Sequence, residues 1–360
     1  MARRSSLKKN TGIKAKIIAA VAIVLVIGAF FWFKSGRQEA GAIEFQKGMG
    51  YVTWSQDGYG TEGSAASLAK VEGLGSNWVA ILTTWYQTNC WSGDIHPTEK
   101  TPTDESLIKA IREAKKLGMK VMIKPHLDLI DKSDGSWRGE IACLREPEWD
   151  EWFEKYTKFI MNYDEIAKKE NVEMFCVGTE LSSTATVKGY LWTNMIKKVR
   201  SKYNGRLTYA AHWDRYMDIR FWDQLDYVGI NAYFPLTEKA VPTADELKAG
   251  WVKWVDEMEK FQAKIQKPII FPEIGCCSAD GAAIRPWEHF PRSEVNINLQ
   301  ADYYRVLLET FWEKEWFYGL YWWSWGTNVR MGGKWNRAFT PQNKPAEDVV
   351  KDWYSKRVKR

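Results

Sequence analysis

Residues 172–180 read VEMFCVGTE, a short run of mainly apolar and small residues that stops on a carboxylate. A run of this length without strict apolar/polar alternation fits a strand buried on both faces, and such strands belong to parallel sheets. The segment before it has a different period. Trp149, Trp152, Phe153, Tyr156, Phe159, Ile160 and Tyr163 recur at three- and four-residue steps, the spacing of one helix face. A helix followed by a buried strand is half of a crossover unit, so the useful question is how often the unit recurs.

It recurs along the chain. Strand-type runs fall at 45–54, 77–86, 120–128, 207–213, 227–234, 268–275 and 319–325, which with 172–180 makes eight. Leu247, Trp251, Trp254, Val255, Met258 and Phe261 mark a second long amphipathic helix. Thr103/Asp104 and Glu146-Pro147-Glu148 have the chemistry of helix starts, and Gly118 and Gly205 that of stops. Eight strands alternating with helices predict an α/β fold closed into a (β/α)₈ TIM barrel over residues 45–357. An open doubly wound sheet would want a glycine-rich phosphate turn after its first strand. Gly48-Met49-Gly50 does not continue that pattern, since position 53 is Thr, and no P-loop or internal repeat is visible.

The 360 residues, 45% hydrophobic and 27% charged, exclude disordered and low-complexity classes. The net charge of +6 resides in the first 37 residues, which carry eight basic groups and no acid. Removing those eight from the 51 Lys and Arg leaves the remainder slightly acidic against its 45 Asp and Glu. No nucleic-acid partner is therefore expected. A basic segment, 1–16, precedes the apolar run IIAAVAIVLVIGAFFWF at 17–33, read as a transmembrane signal anchor followed by a linker, 34–44. This predicts a single-pass protein of the cytoplasmic membrane with its large domain outside. Secretion after cleavage near Ala40-Gly41-Ala42 is the alternative. The five cysteines have no zinc-binding spacing, and no disulfide pair can be chosen from sequence.

In such a barrel the chemistry sits at the carboxyl ends of the strands. Glu180 ends strand 4 and Glu273, within IIFPEIG (269–275), ends strand 7, on roughly opposite sides of the ring. A pair of carboxylates flanking one bond is what glycoside hydrolysis requires: one protonated to assist the leaving oxygen, one ionised to attack or stabilise the sugar. Tryptophan occurs 21 times, and Trp54, Trp85, Trp213 and Trp325 fall at strand ends, where an indole face suits a sugar ring. Further candidate substrate-binding residues are Tyr86, Lys124, His126 and Asp128 at the ends of strands 2 and 3, Trp137 and Arg138 on the following loop, His212 on strand 5, and Asn231 and Tyr233 on strand 6. Tyr233 could hold Glu273 ionised. A metal centre on His126, Asp128 and His212 is the weaker reading, with only four histidines in the chain, and no metal or other cofactor is expected.

These residues resemble the retaining (β/α)₈ glycosidases of clan A. More narrowly, GMGYVTW (48–54), NWVAILTTWYQ (77–87), KPHLD (124–128), WRGEI (137–141), VGTEL (177–181) and PEIG (272–275) resemble glycoside hydrolase family 113, the β-mannanase-like group. The resemblance implies action on β-1,4-linked mannan or manno-oligosaccharides, with Glu180 as acid/base and Glu273 as nucleophile. One departure is that the residue before the acid/base, usually Asn in the wider clan, is Thr179. A tethered barrel that binds carbohydrate without turning it over is the alternative function.

Overall fold

The computed structural model describes residues 44–288 and 293–358. The expected basic segment, the 17–33 anchor and all but the last residue of the linker lie outside the described residues. Among the described residues no helix is long and apolar enough to cross a membrane.

Eight parallel strands close into a barrel in sequence order: β1 (Gln46–Val52), β2 (Trp78–Gln87), β3 (Lys120–Leu129), β4 (Met174–Thr179), β5 (Arg206–His212), β6 (Val228–Asn231), β7 (Ile269–Ile274) and β8 (Phe317–Gly326), with β1 pairing β8. Each expected strand is found, with ends shifted by up to three residues. Strand β6 is shorter than its apolar run predicts, so Tyr233 lies beyond it.

The outer layer is α1 (Glu62–Gly73), α2 (Asp104–Lys116), α3 (Glu146–Lys169), α4 (Ser182–Val187), α5 (Gly189–Arg200), α6 (Ala244–Ile265), α7 (Ile297–Phe311) and α8 (Pro345–Tyr354). The strict alternation is broken twice. Strand β5 passes to β6 through two 3-10 turns, at Tyr216–Asp218 and Trp222–Gln224, and α4 is an extra helix after β4.

Local chemistry explains the helices. Thr103 accepts from the Ser106 N–H at the start of α2, Asp104 and Glu105 occupy its first turn, and Lys115 and Lys116 its last, each complementing the helix dipole. On α3 the aromatic face is wholly buried. Trp152 stacks on Tyr156 at 4.9 Å, and the Tyr156 hydroxyl donates to the Val177 carbonyl at 2.9 Å, pinning α3 to β4. Gly178 is required there. A Cβ would meet the Trp192 ring at 2.6 Å and the Tyr156 hydroxyl at 2.7 Å. All five cysteines are free.

Candidate active site

Glu180 follows β4 with φ at +55°, the left-handed region that costs a non-glycine residue about 1–2 kcal/mol. Its N–H donates to the Ala210 carbonyl at 2.8 Å, which holds the turn. The β4–β5 register shifts between Cys176 and Thr179, and the β6–β7 register between Gly229 and Asn231, so each carboxylate stands beside an irregularity that re-aims its side chain. The Ala232 N–H donates to the Glu273 carbonyl at 2.8 Å, fixing the end of β6 against β7.

The two carboxylates have opposite surroundings. Glu273 is buried, and both of its oxygens accept: Lys124 Nζ donates to Oε1, and the Tyr233 hydroxyl donates to Oε2 at 2.9 Å. Lys124 is fully buried, so this ion pair is desolvated on both sides. His126 Nε2 stands 3.4 Å from the same Oε1, too loose for a formed hydrogen bond. Burial first, then the Lys124 and Arg138 cations, push the His126 pKa well below the ordinary imidazole range. Its neutral Nδ1 faces Arg138 Nη1 at 3.2 Å and accepts from it, which puts the ring proton on Nε2, toward Glu273.

Glu180 has no such pairing. Burial first, then the charge of Glu273, raise its pKa, opposed by His212, Arg138 and Asn231. Arg138 Nη1 lies 3.8 Å from Glu180 Oε2, while Nη2 reaches Asp128 Oδ2 at 3.3 Å and Lys132 Nζ donates to the same carboxylate at 2.9 Å. Lys124 is paired with Glu273, whereas Arg138 is shared between Asp128 and Glu180. Glu180 is the carboxyl of the two whose pKa is pushed upward.

Other candidates also converge. The loop after β3 turns at Arg138–Glu140, where Trp137 N–H donates to Glu140 Oε2 at 3.2 Å. This brings Trp137 against His212, ring centroids 4.9 Å apart, and His212 Nδ1 pairs with Asp214 Oδ1 at 2.6 Å. Asn231 is fully buried beside Glu180, and its side-chain amide opposes the rise in the Glu180 pKa by hydrogen bonding to it. Tyr86 sits next to Asp128 in the paired strands. Trp213 stacks on Trp287 at 5.7 Å on the loop side of β5.

Two expected residues do not reach the site. Trp325 is fully buried against the outer layer, its Nε1 donating to Ser67 Oγ at 2.9 Å on α1. Trp323 takes the expected place, its ring parallel to His126 at 5.9 Å and its centroid 5.6 Å from Lys124 Nζ. Trp85 likewise points outward, donating to the Tyr163 hydroxyl at 2.8 Å and packing on Phe159 of α3. Both strands are buried on their two faces, so the run YWWSW and the run TTWYQ carry no polarity to tell inner from outer. Lys124, expected to bind substrate, is found against Glu273 instead. Among the described residues no group of three or more His, Cys, Asp or Glu is placed to hold a metal ion.

Comparison with known proteins identifies relatives. The model of Glycoside Hydrolase Family 113 matches residues 49–344. A GH113 beta-1,4-mannanase solved as a complex is 31% identical, with 87% of this chain and 100% of that one covered and a TM-score of 0.79. A second GH113 beta-1,4-mannanase structure is 32% identical over the same shares, TM-score 0.78. The GH113 beta-mannanase AaManA from Alicyclobacillus acidocaldarius, in complex with ManMIm, is 28% identical, covering 87% of this chain and 98% of that one, TM-score 0.78. No curated protein matches the chain.

Proposed function

The chain belongs to glycoside hydrolase family 113 and is a glycosidase, and on that premise we propose that it cleaves β-1,4-linked mannose chains with retention, Glu180 acting as acid/base and Glu273 as nucleophile. The observation that carries this reading is the unequal treatment of the two carboxylates. Glu273 accepts at both oxygens from a buried ammonium and a phenol, as a carboxylate does, whereas burial and the charge of Glu273 raise the pKa of Glu180, the direction a proton donor needs.

In the first step a Glu273 oxygen bonds to the anomeric carbon as the glycosidic C–O bond breaks, and the Glu180 proton passes to the leaving oxygen. The negative charge thereby moves from Glu273 to Glu180, toward Arg138. In the second step Glu180 takes a proton from water, whose oxygen bonds to the anomeric carbon and releases Glu273 as a carboxylate with Lys124 and Tyr233 again donating to it. Trp323 offers an apolar face to the reacting ring, and the buried Asn231 amide beside Glu180 a hydrogen-bonding group for a sugar hydroxyl.

The test is hydrolysis of β-1,4-manno-oligosaccharides by the full chain, with the product anomer followed by NMR. Initial release of the β-anomer, abolished in Glu180→Ala and Glu273→Ala, is expected, and variants as active as the parent would remove the mechanism. We also propose that the apolar run at 17–33 anchors the enzyme in the cytoplasmic membrane with the barrel outside, supported by the basic residues before it. Recovery of the protein in the soluble fraction after cell breakage, with residues 1–40 removed, would count against the anchor.

A further inference from the structure

Charge is divided between the two ends of the barrel. The helices run back from the catalytic end, and their first turns there carry acids: Asp104 and Glu105 on α2, Glu146 and Glu148 on α3, Asp245 and Glu246 on α6. Their last turns, at the amino-terminal ends of the strands, carry bases: Lys115 and Lys116 on α2, Lys168 and Lys169 on α3, Lys264 on α6. Helix dipoles favour this sorting, and together these turns make the mouth of the barrel acidic and its floor basic. Exposed apolar groups are sorted as well. Among the described residues no large apolar side chain is exposed in a connection at the floor. A cationic face without exposed apolar groups suits a hydrated anionic partner.

One part of the floor exceeds what the dipoles ask for. Residues 189–213 contain no Asp or Glu, while Lys197, Lys198 and Arg200 in the last turn of α5 are followed by Lys202 and Arg206 on the way into β5. The turn is held from within. The Tyr203 hydroxyl donates to the Val172 carbonyl at 2.6 Å, and Arg200 Nη1 to the Gly205 carbonyl at 2.8 Å. Asp226 is set among these bases and takes Arg200 at 2.6 Å and Arg206 at 3.6 Å. Lys197, Lys198 and Lys202 stand exposed, Lys202 with only a loose approach of 3.8 Å to Glu165. Lys267 extends the ridge, its Nζ donating to the Asp223 carbonyl at 3.2 Å. Across the floor, Lys47 Nζ donates to the Lys356 carbonyl at 2.8 Å, which fixes the exposed Lys356 and Arg357 beside the start of β1.

We propose that the floor of the barrel is a seat for an anionic bilayer, with the ridge of Lys197, Lys198 and Lys202 against acidic lipid headgroups and the catalytic mouth turned away from the membrane. The assignment rests on the membrane anchor proposed above and not on the choice of sugar. The chain enters the barrel at this floor, since β1 starts at Gln46, and residues 34–44 span at most about 40 Å when fully extended. So short a tether raises the local concentration of headgroups, and weak charge contacts then suffice to orient the domain. Each base held at an anionic surface strengthens such a contact by about fivefold. With headgroups at the floor, the strand ends that carry Glu180 and Glu273 open toward polymer arriving from outside.

The experiment takes the full chain to vesicles of neutral phosphatidylcholine and to vesicles containing about one third phosphatidylglycerol. Flotation reads the anchor, and amide hydrogen exchange reads the seat. The chain is expected to float with both. Residues 197–206 should exchange about fivefold more slowly on the anionic vesicles at low salt, a difference lost near ~0.5 M salt. Lys197→Gln/Lys198→Gln/Lys202→Gln should abolish this protection and leave the circular dichroism spectrum unchanged. Lys239→Gln/Lys253→Gln/Lys260→Gln removes the same charge from the mouth and side of the barrel and should keep the protection. Flotation with both lipids and equal exchange on them overturns the seat and leaves the anchor, and so does protection that survives in the first triple variant. Flotation with the anionic vesicles alone, with the segment protected, upholds the seat and overturns the anchor. Flotation with neither overturns both. Protection of the segment by dextran sulfate but not by anionic vesicles overturns the lipid assignment in favour of a soluble polyanion.

Discussion

The guanidinium of Arg138 reaches the carboxylate of Glu180, Nη1 to Oε2 3.8 Å, and its other bonds go to Asp128 and His126. One cation thus touches Glu180, the proposed proton donor, and the imidazole that faces Glu273, the proposed nucleophile. Because a nearby cation favours the ionised form, Arg138 holds the Glu180 pKa down against burial. Arg138→Gln should let Glu180 keep its proton to higher pH. The basic limb of the kcat/KM profile should move upward by more than about half a unit, and a downward move would contradict the assignment of that limb to Glu180.

Glu180→Gln separates catalysis from stability. Turnover of oligosaccharides should fall by roughly 10²–10⁴-fold, with less loss on aryl substrates whose leaving group needs no proton. Stability should move the other way. Glu180 has a folded pKa above its unfolded one, so its contribution is fully present below the unfolded value and is lost as pH rises through the folded value. Gln keeps the neutral form at every pH. The Tm of the variant relative to the parent should therefore climb as pH rises above the unfolded carboxyl value, and a flat or falling difference in thermal melts would contradict the raised pKa.

Lys124 is fully buried with Glu273 as its counter-ion. Lys124→Met strands a carboxylate in a low-dielectric site and should cost about 3–5 kcal/mol, measured by urea unfolding. The double variant Lys124→Met/Glu273→Gln should be less destabilised than the two single losses added together. Strict additivity would show that the pair does not interact.

The two tryptophans of β8 should behave differently. Trp323→Ala removes the ring parallel to His126 and should lower kcat/KM by about tenfold or more. Trp325→Phe removes the hydrogen bond to Ser67 and shrinks a fully buried ring, and should cost about 1–3 kcal/mol in stability with KM unchanged. The reverse pattern in paired kinetics and melts would return Trp325 to the site.

How much of this was legible in the residues depends on what each signal encodes. Strand order and the two carboxylates could be read because an apolar run interrupted by Glu180 or Glu273 is a local event that survives without any knowledge of packing. Tyr233 could be paired with Glu273 from strand order alone. The choice between Trp323 and Trp325 could not be made, nor could Trp85 be placed on α3, because an indole suits either face of a strand buried on both. Lys124 looked like a group facing substrate, since its pairing with Glu273 joins residues 149 positions apart. The 3-10 passage from β5 to β6 was hidden by the general rule of one helix per strand.

The most direct test of the account is to trap the intermediate. Treating the enzyme with 2-deoxy-2-fluoro-β-mannosyl fluoride and digesting it should yield, by mass spectrometry, one glycosyl adduct per chain on the peptide containing Glu273, and none in Glu273→Gln. An adduct on another residue, or turnover of mannan with an inverted product and no adduct, would contradict it.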